Sequence, residues 1–191
     1  MRHTRWLSTT AGFAKRNVSL NQGCRLWLSQ NELQNKSPLV MPLLGTFYEH
    51  TVATVLQHDL NVFDLVLSGG AGDRGVDMYG VWPRPDAPSL NVIVQCRTKA
   101  KRMPGKDFLE LAGVWLAHND PSTLAIMASN KNLTRQGLAE MYGLNVPILF
   151  VKVGMPEMID PLLSQYDPDN YAVPAIEGML YNNKAEEMLG Q

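Results

Sequence analysis

Residues 69–77 run Gly-Gly-Ala-Gly-Asp-Arg-Gly-Val-Asp, and the β-type segment that follows closes on Gln95-Cys96-Arg97. Upstream, Glu49 stands in a helical stretch. A carboxylate from a helix, an aspartate entering one strand and a polar pair on the next strand are the parts that hold a divalent metal against a phosphodiester. Magnesium accepts one or two carboxylates and fills its shell with waters and phosphate oxygens. A metal so held polarises the phosphate and lowers the pKa of the attacking water. Glu49 and Asp77 are therefore the candidate Mg²⁺ ligands. Gln95 and Arg97 are two apart and project from one side of their strand; Gln95 would position water or metal. Arg97 keeps its proton and spreads its charge over a planar fork, so it can stabilise a pentavalent phosphate but not shed a proton as a lysine does. Lys99 has the same parity and could supply that lysine if the strand runs so far.

Positioning these side chains requires a small set of elements. Phe47, Val52, Ala53, Leu56 and Leu60 recur at helical steps over residues 46–60, with Glu49 on their stripe. A carboxylate on a buried stripe needs a partner or a metal. Strands are expected over 62–67, 76–82 and 90–98, with the Pro-rich stretch 83–88 as a hairpin-type turn that cannot continue a ladder. A helix over 106–117, a strand over 124–128, a helix over 134–142 closed by Gly143, and a strand over 146–153 follow. Two further helices are expected over 156–165 and 175–189, separated by the loop at 167–170. The order predicts an α/β fold, a mixed central sheet flanked by helices on both faces.

Charge divides the chain. Arg2, Arg5, Lys15, Arg16 and Arg25 precede the first acid, Glu32; removing those five takes the formal net charge from −1 to −6. An acid-free, Arg-rich leader with Ser and Thr fits a mitochondrial transit peptide over 1–31, and a polar linker over 32–41 leads to a domain at 42–153 and a C-terminal helical extension at 154–191. No stretch approaches the roughly 18 apolar residues of a membrane span. With Cys24 in the leader, Cys96 has no partner for a disulfide or a structural zinc site, which suits the reducing mitochondrial matrix. Cys96 alternates with Gln95 and Arg97 and is expected as a small core residue. Lys101, Arg102 and Lys106 continue the positive charge beside the site and are candidate nucleic-acid contacts. The glycine loop lacks the Gly-Lys-Ser/Thr ending of a P-loop and precedes a strand rather than a helix. No Gly-x-Ser-x-Gly elbow points to acyl transfer.

Taken together, residues 45–49 (Gly-Thr-Phe-Tyr-Glu), 69–77, 94–97 (Val-Gln-Cys-Arg) and 110–113 (Glu-Leu-Ala-Gly) resemble the Mrr-type branch of restriction-endonuclease-like, or PD-(D/E)XK, domains. With its basic leader the chain most resembles the fungal mitochondrial "required for respiratory growth" family. The resemblance spans about residues 42 to 153. It implies that Glu49 and Asp77 are the acidic metal-site residues, that Gln95 takes the place of a second strand carboxylate, and that Arg97 occupies the catalytic lysine position. It implies a nucleic-acid partner, DNA foremost, and a role in mitochondrial genome maintenance. Three outcomes stay open: a slow Mg²⁺-dependent nuclease, a nuclease using Lys99, and a domain that binds nucleic acid without cutting. A protein-interaction factor in respiratory biogenesis, acting through the segment after Met155, is the alternative from another class.

Overall fold

A computed structural model describes residues 16–17, 41–68, 74–155 and 172–190. The leader and linker (Arg16, Asn17 and Met41 apart), Cys24, the loop residues 69–73 and the helix expected over 156–165 lie outside the described residues. The elements are β1 (Arg16–Asn17), α1 (Met41–Leu60), β2 (Phe63–Leu67), β3 (Met78–Arg84), β4 (Ala87–Arg97), α2 (Lys106–His118), β5 (Thr123–Ser129), α3 (Arg135–Gly143), β6 (Ile148–Val153), β7 (Ala172–Val173), β8 (Ile176–Tyr181) and α4 (Asn183–Leu189). Six strands form one sheet in the order β2-β3-β4-β5-β6-β8; β1 and β7 make a separate two-stranded ladder. The β4-β5 and β5-β6 pairs are parallel, and the flanking pairs antiparallel. The expected mixed sheet flanked by helices is what folds.

Alternation on β4 divides the core in two. Val92, Val94 and Cys96 join Phe47, Tyr48, Val52, Ala53 and Leu56 of α1 on one face. Ile93 joins Phe108, Leu111 and Ala112 of α2 and Met141 of α3 on the other. Strand β5 is buried along its whole length, as a central parallel strand covered on both faces should be. Truncating such a side chain, Leu56 or Phe150 for example, costs about 2–5 kcal/mol by the usual cavity argument.

Three boundaries differ from the sequence expectation. Helix α1 begins at Met41 rather than at 46, because Pro42 falls in the first turn, where backbone N–H groups have no intrahelical acceptor and proline costs little. In its middle, Thr51 and Thr54 turn their hydroxyls onto the carbonyls of Phe47 and His50, so both threonines are buried without orphaned oxygens. The Pro-rich stretch is mostly strand: pairing runs to Arg84–Ala87 and leaves a two-residue loop at Pro85-Asp86. Pro83 sits at a register irregularity, and Pro88 precedes the point where β5 begins to pair with β4, so neither interrupts a ladder on both sides.

The third correction concerns residues 175–189, expected as a helix. They form the sixth strand of the sheet, β8, and then the short helix α4. Gly178 and Leu180 face inward at strand spacing, and the antiparallel edge against β6 supplies the backbone partners. Asn182 makes the switch: its Oδ1 accepts from Ile148 N and Ala185 N, and its Nδ2 donates to the carbonyls of Met141 and Val146. One buried amide thus caps α4 and ties α3 to β6.

Candidate metal and nucleic-acid site

The chain enters the site through two left-handed residues, Arg74 at φ 52° and Gly75 at φ 80°. A side chain at Gly75 would be strained and would press on Val114 of α2, 3.1 Å from the Cβ position, so glycine is required there. The Gly75 carbonyl accepts a hydrogen bond from Gln95 Nε2 at 2.8 Å. Asp77, one residue before β3, is tied on both sides: its N–H donates to Val94 O and its carbonyl accepts from Ser68 N, each at 2.9 Å. The Ser68 hydroxyl also donates to the Val76 carbonyl. The Asp77 carboxylate, Oδ2, accepts the Cys96 backbone N–H at 2.5 Å, a charge-assisted bond that fixes the acid against β4.

Glu49 arrives from the other side. It is half-buried on α1, on the face of β4 that carries Cys96. The Cys96 thiol is pushed well above its ordinary pKa, first by burial, then by the negative charges of Asp77 and Glu49, and pulled back by Arg97.

Gln95 and Arg97 take the face toward α2; β4 ends at Arg97, so Lys99 lies two residues past the strand and is not held on it by strand parity. Gln95 is 2% exposed, and its Oε1 has no hydrogen-bond partner among the described residues. The Arg97 guanidinium lies 3.3 Å from Glu110 of α2 and also donates to the Cys96 carbonyl at 3.3 Å. Lys99 Nζ lies 3.0 Å from the buried carboxylate of Asp107, in the first turn of α2, and Lys99 N–H donates to Asn130 Oδ1 at 2.8 Å. Lys101, Arg102 and Lys106 are exposed on the loop joining β4 to α2 and on the first residue of that helix.

The fold sets Glu49 on the α1 side of β4 and turns Gln95 and Arg97 to the α2 side, with the Asp77 carboxylate bonded to the β4 backbone at Cys96. Among the described residues no group of three or more His, Cys, Asp or Glu side chains gathers as a metal cage. Two carboxylates fit a hard cation that keeps most of its waters, which is how Mg²⁺ is ordinarily held. The partners Glu110 and Asp107 were missed in the sequence. They meet Arg97 and Lys99 only because the parallel β4-α2-β5 crossover lays α2 back along β4.

Comparison with known proteins gives the chain its relatives. Residues 40–89 and 83–189 match the family described as Required for respiratory growth protein 7. The protein "Required for respiratory growth protein 7, mitochondrial" from Vanderwaltozyma polyspora is 26% identical over 172 residues, covering 66% of this chain and 68% of that one. Its counterpart from Eremothecium gossypii is 28% identical over 182 residues, covering 70% and 76%. The Lachancea thermotolerans counterpart is 29% identical over 154 residues, covering 58% and 60%. Among solved structures, MspJI restriction endonuclease in complex with a 27-mer oligonucleotide overlays at TM-score 0.39 and 13% identity, covering 75% of this chain and 32% of that chain. A likeness that low carries no inference. No helix of the described residues is long and apolar enough to cross a membrane.

Proposed function

The chain belongs to the Required for respiratory growth protein 7 family, whose members are named as mitochondrial, and from that premise we propose that it is a nucleic-acid-binding protein of the mitochondrial matrix. Its domain is of the restriction-endonuclease-like, Mrr type, and its reaction is Mg²⁺-dependent phosphodiester hydrolysis in mitochondrial genome maintenance. The observation that supports this best is the Asp77 carboxylate, held to the Cys96 N–H of β4 at 2.5 Å, with Gln95 bonded to the carbonyl of Gly75 just before it. Glu49 and Asp77 would hold the metal, which when bound polarises a phosphate and acidifies water. Gln95 braces the Asp77 loop through Gly75 and offers its amide oxygen. Arg97 and Lys99 supply positive charge from the α2 side of the strand, and Lys101, Arg102 and Lys106 bind phosphates along the approach.

A second reading, binding without hydrolysis, is favoured by one observation. Arg97 is engaged with Glu110, so its charge is partly spent before any phosphate arrives. The test incubates the full chain with branched, linear and single-stranded DNA in Mg²⁺ or Mn²⁺. Cleavage is the expected result, lost in Asp77→Ala. Cleavage at an undiminished rate in that variant removes the assignment of the site, whereas metal-insensitive binding without turnover supports the second reading.

A further inference from the structure

The loop after β4 and the loop after β5 are joined to each other. Met103 N–H donates to Asn132 O, and Thr134 N–H donates to Met103 O, each at 2.9 Å, a parallel bridge that pairs Met103 with Leu133. Both of those side chains are buried, so the bridge is anchored in the core. Gly137 makes the approach possible, since a Cβ there would lie 2.7 Å from the Met103 carbonyl oxygen. The Lys99–Asn130 hydrogen bond adds a second link. The two loops thus form one ledge at the carboxyl ends of the parallel strands β4 and β5.

The ledge is cationic. Lys101, Arg102 and Lys106 are exposed along its first side; Arg135 is exposed and Lys131 half-buried along its second. Of the adjacent acids, Asp107 is engaged with Lys99 and Glu110 with Arg97, while Glu140 of α3 packs against Gly105. None of the five outer cations has an ion-pair partner among the described residues. Nor does the ledge carry a stacking surface: residues 98–105 and 130–135 contain no Phe, Tyr or Trp. The exposed large aromatics of the described residues, Phe63 and Tyr79, lie on β2 and β3 instead. Single strands are held by stacking bases on aromatic rings, whereas a duplex hides its bases and presents phosphates.

We propose that the joined loops are a phosphate-binding ledge for double-stranded nucleic acid, reading backbone and not sequence, with Lys131 and Arg135 as contacts beyond Lys101, Arg102 and Lys106. The inference rests on the nucleic-acid reading above and adds its mode of recognition. Each cation that meets a phosphate releases a counterion and adds about 0.9 to the slope of log affinity against log salt for a DNA duplex.

The test measures binding of the full chain by fluorescence anisotropy across a salt series. Its ligands are two DNA duplexes of equal length and unrelated sequence, an RNA duplex, a single strand, and anionic phospholipid vesicles. Both DNA duplexes should bind within about twofold of each other and more tightly than the single strand. The double variant Lys131→Gln, Arg135→Gln should lower the salt slope by about 1–2 on either duplex, while Lys184→Gln, on α4, leaves it unchanged. An unaltered slope in the double variant, a preference for the single strand or for one sequence, or binding to vesicles alone overturns the ledge and spares the rest. Failure of the unsubstituted chain to bind any nucleic acid at low salt overturns the nucleic-acid reading, and the ledge with it.

Discussion

Asp77 holds Cys96 by its backbone: the carboxylate Oδ2 accepts the Cys96 N–H at 2.5 Å, at the mouth of the β3-β4 pair. The acid assigned to the metal is therefore also a structural acceptor, and the two roles separate by substitution. Asp77→Asn keeps an oxygen for the N–H and should cost less than about 1 kcal/mol of stability. Asp77→Ala leaves a buried donor unsatisfied and should cost about 1–3 kcal/mol. Urea unfolding of the two variants measures the difference, and equal stabilities would contradict the bond's structural weight.

On the proposed nuclease reading Arg97 stands in place of a lysine, and it is tethered to Glu110. Lysine at that position would concentrate the charge and could orient or deprotonate water. Arg97→Lys should raise Mg²⁺-dependent cleavage about tenfold, equivalent to about 1.4 kcal/mol of barrier. Single-turnover rates decide it. No change, with Glu110→Gln also silent, would leave Arg97 a surface ion pair.

The Lys99–Asp107 pair is of another kind, because the acid is buried and its second oxygen has no partner among the described residues. Lys99→Met strands that charge and should destabilise by about 2–4 kcal/mol, at or below the range for a fully buried pair because Lys99 is partly exposed. Lys99→Met combined with Asp107→Leu should recover most of the loss. If the double variant is the sum of its singles, the pair is not coupled.

Much of this arrangement was legible in the sequence, and the failures are instructive. Cys96 was placed in the core by its alternation with Gln95 and Arg97; α3 was found within one residue at each end, but Thr134 is its N-cap rather than its first residue, and Gly143 is its last residue, followed by the extended Leu144, rather than a left-handed cap. The segment 175–189 misled because its helical spacing competes with an edge strand that only β6 can stabilise. The split between Glu49 on one face of β4 and Gln95 with Arg97 on the other was equally invisible. Parity fixes which residues share a side of a strand; it does not tell which helix covers that side. The ledge cations Lys131, in the loop after β5, and Arg135, the first residue of α3, look ordinary until the Met103–Leu133 bridge joins that loop to the basic one.

His50, next to Glu49 and 7% exposed, has its pKa pushed down to about 4 by burial. The folded protein keeps this imidazole neutral while the unfolded chain protonates near 6.5. Stability is therefore full above about pH 6.5 and falls as the pH drops toward 4, by about 3 kcal/mol from this group. His50→Gln should shrink the difference between urea midpoints at about pH 7 and about pH 4.5 by a corresponding amount. An unchanged difference would place the acid sensitivity elsewhere.

The most direct measurement is a calorimetric titration of Mg²⁺ into the full chain carrying bound duplex, repeated with Glu49→Gln, Asp77→Asn and the double variant. If the two carboxylates share one ion, each single variant weakens binding at least tenfold and the double variant adds little more. Undiminished Mg²⁺ affinity in both single variants would contradict the account at its centre.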